Sequence, residues 1–72
     1  MKFKSQEEVE LIRKMYPEGT ELELDYMNDF QAPPSGTKGK VTLVDSIGQI
    51  HVNWENGSSL ALNTDIDRFH KI

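Results

Sequence analysis

The sequence contains no cysteine, so it offers neither a disulfide framework nor a thiolate ligand for zinc. This absence is typical of a reducing compartment, and we expect a cytoplasmic protein. No apolar run is longer than four residues, so we expect neither a membrane span nor the apolar core of a signal peptide. The 72 residues carry a net charge of −4, which disfavours a protein that binds nucleic acid or anionic lipid. The sequence therefore predicts one domain (residues 1–72) without a cofactor.

The first part of the chain has the pattern of a short helix. Ser5 and Glu8 are spaced for a capping box, in which each side chain accepts a hydrogen bond from the other residue's backbone amide. Apolar residues at helical spacing form one stripe, and Pro17 and Gly19 end the helix. We predict a helix over residues 5–16. A helix of about a dozen residues is marginal alone, so its stripe must pack on the rest of the chain.

From residue 20 onward the apolar residues recur with a period of two, which predicts β-strands. Residues 28–38 contain two prolines that cannot both lie in a sheet ladder, so we predict a long loop there. Residues 63–67 are predicted to form a single tight turn. The predicted strands are 21–26, 39–45, 49–54, 58–62 and 68–72.

The hairpin after Trp54 has two possible registers, and the apolar pattern favours one of them. A two-residue loop would turn the apolar residues of the following strand away from the face that carries Trp54. A three-residue loop with Gly57 as a left-handed bulge keeps the apolar residues of both strands on one face. A register shifted by one residue would turn every apolar side chain of this strand to the opposite face, so we predict the second register. It places these residues opposite each other: Trp54 and Ser58, Val52 and Leu60, Ile50 and Leu62.

The preceding hairpin is expected to be less regular. Residues 46–48 fit a three-residue loop of the same type, with Gly48 at its end. Val41 and Val44 are both apolar but three residues apart, so they can share a face only if the strand is kinked between them. We therefore predict an irregular strand before this loop.

Five short strands, a long first loop and two tight hairpins predict a mainly β fold, a small SH3-like barrel with the N-terminal helix packed on it. Closure of the barrel would also remove exposed strand edges.

The whole chain moreover resembles a bacterial family known as domain of unknown function 4314. The resemblance is carried by residues 32–39 (APPSGTKG), residues 48–60 (GQIHVNWENGSSL), the N-terminal helix and Arg68–Phe69. It implies a compact bacterial protein, often carried on phage-like or conjugative mobile elements, and it implies no activity.

Trp54 is the only tryptophan, and we predict that it fills the core rather than serving as a ligand platform. It is in phase with two neighbouring apolar residues, and its burial contributes roughly 5 kcal/mol of gross hydrophobic stabilisation. A domain this small has a net stability of about 5 kcal/mol, so an exposed Trp54 would forgo a free energy as large as the whole stability of the fold. The predicted structural residues are Trp54, Gly57, Ile50, Val52, Leu60 and Leu62.

The loop from Tyr26 to Gly36 is the best candidate for a functional site. Phe30 and two prolines in an acidic setting could offer an apolar contact to a basic or apolar peptide. In the alternative interpretation, Phe30 folds back and covers one end of the barrel, because so small a core needs the area. The predicted binding residues are Tyr26, Asp29, Phe30, Pro33 and Pro34.

A basic patch is the alternative binding site, since the second and fifth strands could lie on one side. Twelve acidic residues against eight basic ones, and no aromatics interleaved with the lysines, argue for a solvated face instead. The residues of this alternative nucleic-acid patch are Lys38, Lys40, Arg68 and Lys71.

Catalysis has the least support. His51 and His70 are the only plausible bases at neutral pH, and no nucleophile or phosphate-loop motif is present. Two histidines alone make a poor metal site, and the acidic residues lack the spacing of a calcium loop, so we predict no metal. The sequence thus predicts a non-catalytic interaction module with a protein or peptide partner and no membrane. The alternatives are a nucleic-acid-binding accessory protein and a homodimeric structural module.

Overall fold

The computed structural model describes residues 4–72, which form one helix and four antiparallel strands. The strands lie in one open sheet with the order β3-β2-β1-β4. The prediction of a mainly β fold is therefore confirmed, whereas the prediction of a five-stranded closed barrel is wrong. The elements are α1 (Gln6–Met15), β1 (Glu21–Tyr26), β2 (Lys38–Val44), β3 (Ile50–Trp54) and β4 (Arg68–Lys71). Among the described residues, no helix has the length and apolar character needed to span a membrane.

The segment 58–62, predicted as a strand, follows β3 in the predicted register but does not form a ladder with it. The Trp54 amide donates to the Ser58 carbonyl at 3.1 Å, and Ile50 and Leu62 exchange two backbone hydrogen bonds. Between these points, both backbone groups of Leu60 bond to side chains: its N–H to Ser58 Oγ, and its carbonyl to the Trp54 indole. Side-chain partners thus replace the ladder at the centre of this segment, which leaves the sheet open.

The hairpin of β2 and β3 has the predicted irregularity. Val41 lies opposite Val52 and Val44 lies opposite Ile50, with a register shift between Val41 and Leu43. This β-bulge turns both valines of β2 toward the core, where each is buried. The three-residue loop 46–48 is also confirmed, because its flanking residues are hydrogen-bonded across it and its glycine has a φ of +87°.

The helix α1 begins at the predicted capping box. The Ser5 hydroxyl accepts from the Glu8 amide at 3.1 Å, and the Glu8 carboxylate accepts from the Ser5 amide at 3.2 Å. Val9 is fully buried on the apolar stripe. Arg13 reaches from the last turn to the backbone carbonyls of Val44 and Asp45 at the end of β2. The helix is therefore held on the sheet by its buried apolar stripe and by hydrogen bonds from the guanidinium group of Arg13.

The core lies on one face of the sheet and contains four of the predicted structural residues, Ile50, Val52, Trp54 and Leu62, whereas Gly57 is exposed in the loop after β3. Trp54 is 3% exposed, and Leu60 is partly buried against the cluster. No polar side chain is buried among the described residues. The buried hydrophobic cluster consists of Leu22, Leu24, Met27, Val41, Val44, Ile50, Val52, Trp54 and Leu62.

Gly57 closes the loop after β3 with a φ of +90°, as the predicted left-handed bulge requires. Replacing it with alanine should lower the free energy of unfolding by about 1–2 kcal/mol, because a side chain disfavours this backbone conformation. Apart from its chain neighbours, no residue between 4 and 72 has an atom within 4 Å of the added Cβ, so the loss comes from the backbone. Gly57→Asn should lose less, since asparagine adopts this conformation more readily. Urea unfolding measures both, and an alanine variant as stable as the wild type would contradict the assignment.

Candidate functional site

The loop between β1 and β2, residues 27–37, is called here the Phe30 loop. Backbone hydrogen bonds hold its base closed: the Gly36 amide donates to the Leu24 carbonyl at 2.7 Å, and the Leu24 amide donates to the Thr37 carbonyl at 2.9 Å. The Ser35 hydroxyl also donates to the Asp25 carbonyl at 2.6 Å. The two ends of the loop are thus joined to the end of β1.

The middle of the Phe30 loop is a tight turn built on Asp29. The Ala32 amide donates to the Asp29 carbonyl at 3.1 Å, and the Gln31 amide donates to the Asp29 carboxylate at 2.8 Å. Aspartate favours this position in turns because its side chain can accept such a hydrogen bond. Phe30 follows Asp29 in the turn and is 96% exposed.

The apolar residues of the Phe30 loop are divided between the core and the solvent. Met27 belongs to the buried cluster, Pro33 is buried and Ala32 packs partly against the core. Met27 and Ala32, and not Phe30, supply the apolar contacts of the loop with the buried cluster. Phe30 therefore lies outside the core, and the interpretation that it folds back to cover the barrel is wrong.

The other predicted binding residues differ in accessibility. Tyr26, at the end of β1, is 55% exposed, and Asp29 and Pro34 are also exposed. Pro33 was predicted as a contact residue, but its burial makes it part of the loop's support. Tyr26, Asp29, Phe30 and Pro34 are each accessible to a partner, whereas Pro33 is not.

The lysines of β2 lie beside acidic residues of β1. Lys40 is opposite Glu21, with its Nζ 4.0 Å from the carboxylate, and Lys38 is opposite Glu23. Oppositely charged residues facing each other across strands are favourable and reduce the local potential. Lys40 is therefore paired with a carboxylate, and Lys38 faces one across the strands.

The basic residues of β4 are separated from these lysines, because β1 lies between β2 and β4. Lys71 places its Nζ 5.0 Å from the centroid of the Tyr16 ring, a cation–π distance. Arg68 lies opposite Tyr26 at the other end of the strand pair. The four basic residues predicted to form a nucleic-acid patch are therefore not brought together as one continuous patch.

His51 and Asp45 form a pair beside the 46–48 loop. His51 Nε2 lies 2.8 Å from the Asp45 carboxylate, which also accepts from the amides of Ile47 and Gln49. Burial would raise the pKa of Asp45, but the hydrogen bonds from His51 and the two amides outweigh it and hold that pKa below its usual value. Asp45 thus serves to close the loop rather than to offer a free base.

His70 lies between two carboxylates of the neighbouring strand. Its Nδ1 is 2.9 Å from Asp25 Oδ2, and its Nε2 is 3.8 Å from Glu23 Oε2. The hydrogen bond with Asp25 raises the pKa of His70, and the negative charges of Asp25 and Glu23 add to this effect. Sequence reasoning missed the cluster because Asp25 and His70 are 45 residues apart. Only the register of β1 against β4 brings them together.

A shallow cavity of about 320 Å³ lies on the sheet next to Trp54. Two lysines and two glutamates line it, so its formal charge is balanced and it shows no preference for an anionic ligand. No histidine contributes to it. The lining residues are Glu21, Lys38, Gly39, Lys40, Asn53, Trp54, Glu55 and Ile72.

Comparison with known proteins places the chain in one family. The family described as domain of unknown function (DUF4314) matches residues 5–72, which is essentially the whole chain. No curated protein and no solved structure shows a significant similarity. The matched region includes the helix, the whole sheet and the Phe30 loop. The protein is therefore a member of the DUF4314 family.

Proposed function

We propose that this protein is a non-catalytic interaction module that binds a protein or peptide partner through the Phe30 loop. The observation that carries the proposal is the exposure of Phe30 at the tip of a loop whose base is closed by hydrogen bonds. The ring is 96% exposed, while Met27 and Pro33 on either side of it are buried. The loop thus presents one large aromatic side chain to the solvent from a fixed support.

The energetics of a small domain support this interpretation. Leaving a phenylalanine in water forgoes roughly 1.5–3 kcal/mol of hydrophobic stabilisation. In a domain whose net stability is near the low end of about 5–15 kcal/mol, that is a substantial loss. A binding partner with a pocket for the ring would recover this free energy on association, and buried aromatic anchors carry much of the affinity of protein interfaces.

The loop structure lowers the cost of binding. The turn at Asp29 and the closed base fix the backbone before a partner arrives, so little loop entropy is lost on association. Tyr26 and Pro34 add exposed apolar surface, and Asp29 adds a carboxylate. We infer a partner that offers an apolar pocket, and either a folded protein or a peptide can provide one.

The test is capture of partners from the source cell by the wild-type protein and by Phe30→Ala. The variant should lose the captured proteins while its melting temperature stays close to that of the wild type, because exposed substitutions usually change stability by less than about 0.5 kcal/mol. Ile66→Ala is the matched control, since Ile66 is an aliphatic side chain that is 71% exposed on a different turn. It should retain the partners.

Two outcomes would contradict the proposal. If Phe30→Ala captured the same proteins in the same amounts as the wild type, the loop would not be the contact. If Phe30→Ala melted far below the Ile66 variant, Phe30 would have a structural role that its exposure does not indicate. Sedimentation of the purified proteins completes the test, because a dimer that Phe30→Ala dissociates would identify a second copy of the chain as the partner.

A further inference from the structure

Three potential metal ligands converge where β1 and β4 pair. Glu23 lies directly opposite His70, and Asp25 lies at the point where the register of the two strands shifts. One donor atom from each residue lies within 4.8 Å of the other two, and this is the only such group among residues 4–72. The bulge in β1 brings a second carboxylate to the imidazole that Glu23 already faces.

The imidazole of His70 is oriented as metal-binding histidines usually are. Nδ1 lies 2.9 Å from the Asp25 carboxylate, so a neutral ring that donates from Nδ1 has its lone pair on Nε2. A carboxylate behind a ligating histidine commonly fixes the tautomer and increases the basicity of the other nitrogen. The lone pair of Nε2 is then available on the side of Glu23.

The separation between Nε2 and Glu23 leaves room for an ion. The 3.8 Å between Nε2 and Glu23 Oε2 is too long for a hydrogen bond. Two ligands of a tetrahedral zinc ion, each about 2.0–2.1 Å from the metal, are roughly 3.4 Å apart. The distance between Nε2 and Glu23 Oε2 is close to that separation and slightly longer. Lys38 lies opposite Glu23 on β2, yet these two residues form no ion pair that would occupy the carboxylate.

We propose that His70 Nε2 and the Glu23 carboxylate bind a divalent transition-metal ion such as Zn²⁺, with Asp25 orienting the imidazole from behind and water completing the coordination. An imidazole with a carboxylate suits zinc, nickel or cobalt. Magnesium and calcium take oxygen ligands, so the same site should bind them poorly. The proposal is independent of the function proposed for the Phe30 loop.

Binding would connect the edge strand β4 to β1. The strand β4 has four residues and, within residues 4–72, pairs with β1 alone, so an ion bridging Glu23 and His70 would join it to the sheet by a second means. A ligand that binds only the folded state stabilises it in proportion to the logarithm of its concentration. The melting temperature of the wild type should therefore rise with added Zn²⁺.

His51 provides a matched control. Like His70 it is partly exposed and paired with an aspartate, and its Nε2 lies 2.8 Å from Asp45. However, Asp45 already accepts two backbone amides, and no third metal-binding side chain of residues 4–72 joins the pair. His51 should therefore not bind the ion, and its replacement should leave zinc binding unchanged.

The experiment is calorimetric titration of tag-free protein with ZnCl₂ at pH 7.5, together with NMR detection of the two histidine rings. In the wild type one equivalent of Zn²⁺ should shift the His70 signals and leave those of His51 in place. His51→Ala should bind like the wild type, whereas His70→Ala should lose binding. Glu23→Gln should bind at least tenfold more weakly, and Asp25→Asn roughly tenfold or more, as for other partners of ligating histidines.

The controls separate metal binding from folding. Circular dichroism in EDTA should show every variant folded, and MgCl₂ and CaCl₂ at the same concentration should leave the His70 signals unshifted. The proposal is overturned if the wild type shows no zinc-dependent change of its His70 signals up to millimolar concentration. It is also overturned if His70→Ala, folded in EDTA, binds Zn²⁺ as tightly as His51→Ala does.

Discussion

Trp54→Ala is expected to lose about 3–5 kcal/mol of the free energy of unfolding, as large aromatic-to-alanine changes in protein cores do. The indole is 3% exposed and packs within the main cluster. Net stability in so small a domain is near the low end of about 5–15 kcal/mol, so the variant should be largely unfolded at room temperature. Far-UV circular dichroism and urea unfolding would show this directly.

Trp54→Phe separates the packing of the indole from its hydrogen bond. The indole N–H donates to the Leu60 carbonyl at 2.9 Å, and phenylalanine has no such donor. Leaving a part-buried acceptor without its partner costs about 1–3 kcal/mol, so this variant should be folded but less stable than the wild type.

A Trp54→Ala protein that melts near the wild-type temperature would show that the indole is not a core residue, and would restore the ligand-platform interpretation.

The same indole explains why the sequence predicted one strand too many. The alternation of Leu60 and Leu62 correctly indicated the register of segment 58–62 against β3, as the bridge between Ile50 and Leu62 shows. Alternation reports which side chains share a face, but it does not report what the backbone groups bond to. At Leu60 the indole and Ser58 Oγ take the place of a neighbouring strand. Hydrogen bonds from side chains to the backbone are invisible to periodicity.

The Phe30 loop shows a similar limit. Its two prolines predicted an irregular segment correctly, and its two bulky apolar residues, Met27 and Phe30, were visible in the sequence. Without a period, nothing in the pattern indicated that Met27 and Pro33 would be buried while Phe30 remained exposed. The tight turn at Asp29 places Phe30 in the solvent between the two buried residues. The aspartate, a residue that favours the start of a turn, was the feature of the sequence that indicated this turn.

Contacts between strands distant in sequence were the least predictable. The basic patch required the second and last strands to lie on one side of the fold, but the acidic strand β1 separates them. The cluster around His70 required the pairing of β1 with β4, together with a bulge at Asp25. Local patterns establish which residues can share a face, and sheet order then determines which charges meet. The cross-strand pairs Glu21–Lys40 and Glu23–His70 follow only once that order is known.

Gly39→Ala should destabilise the domain, which is the opposite of the usual effect of replacing a strand glycine. Glycine within a strand normally weakens it, so alanine is expected to gain stability. Gly39 is buried in β2, and an added Cβ would lie 2.5 Å from Val52 Cγ1 and 2.8 Å from Trp54 Cε3. Overpacking of this kind costs about 1–3 kcal/mol, which urea unfolding would detect as a lower midpoint.

A double-mutant cycle with Val52 tests the steric cause of that loss. Val52→Ala removes the closest methyl group at its own cost, but it also makes room for the new Cβ of Gly39→Ala. The double variant should therefore be more stable than the sum of the two single losses predicts. Additive losses would assign the effect to the contacts with Trp54 Cε3 and the Asn53 carbonyl oxygen instead. A gain in stability from Gly39→Ala alone would mean that the sheet and the indole do not approach each other as closely as the structure shows.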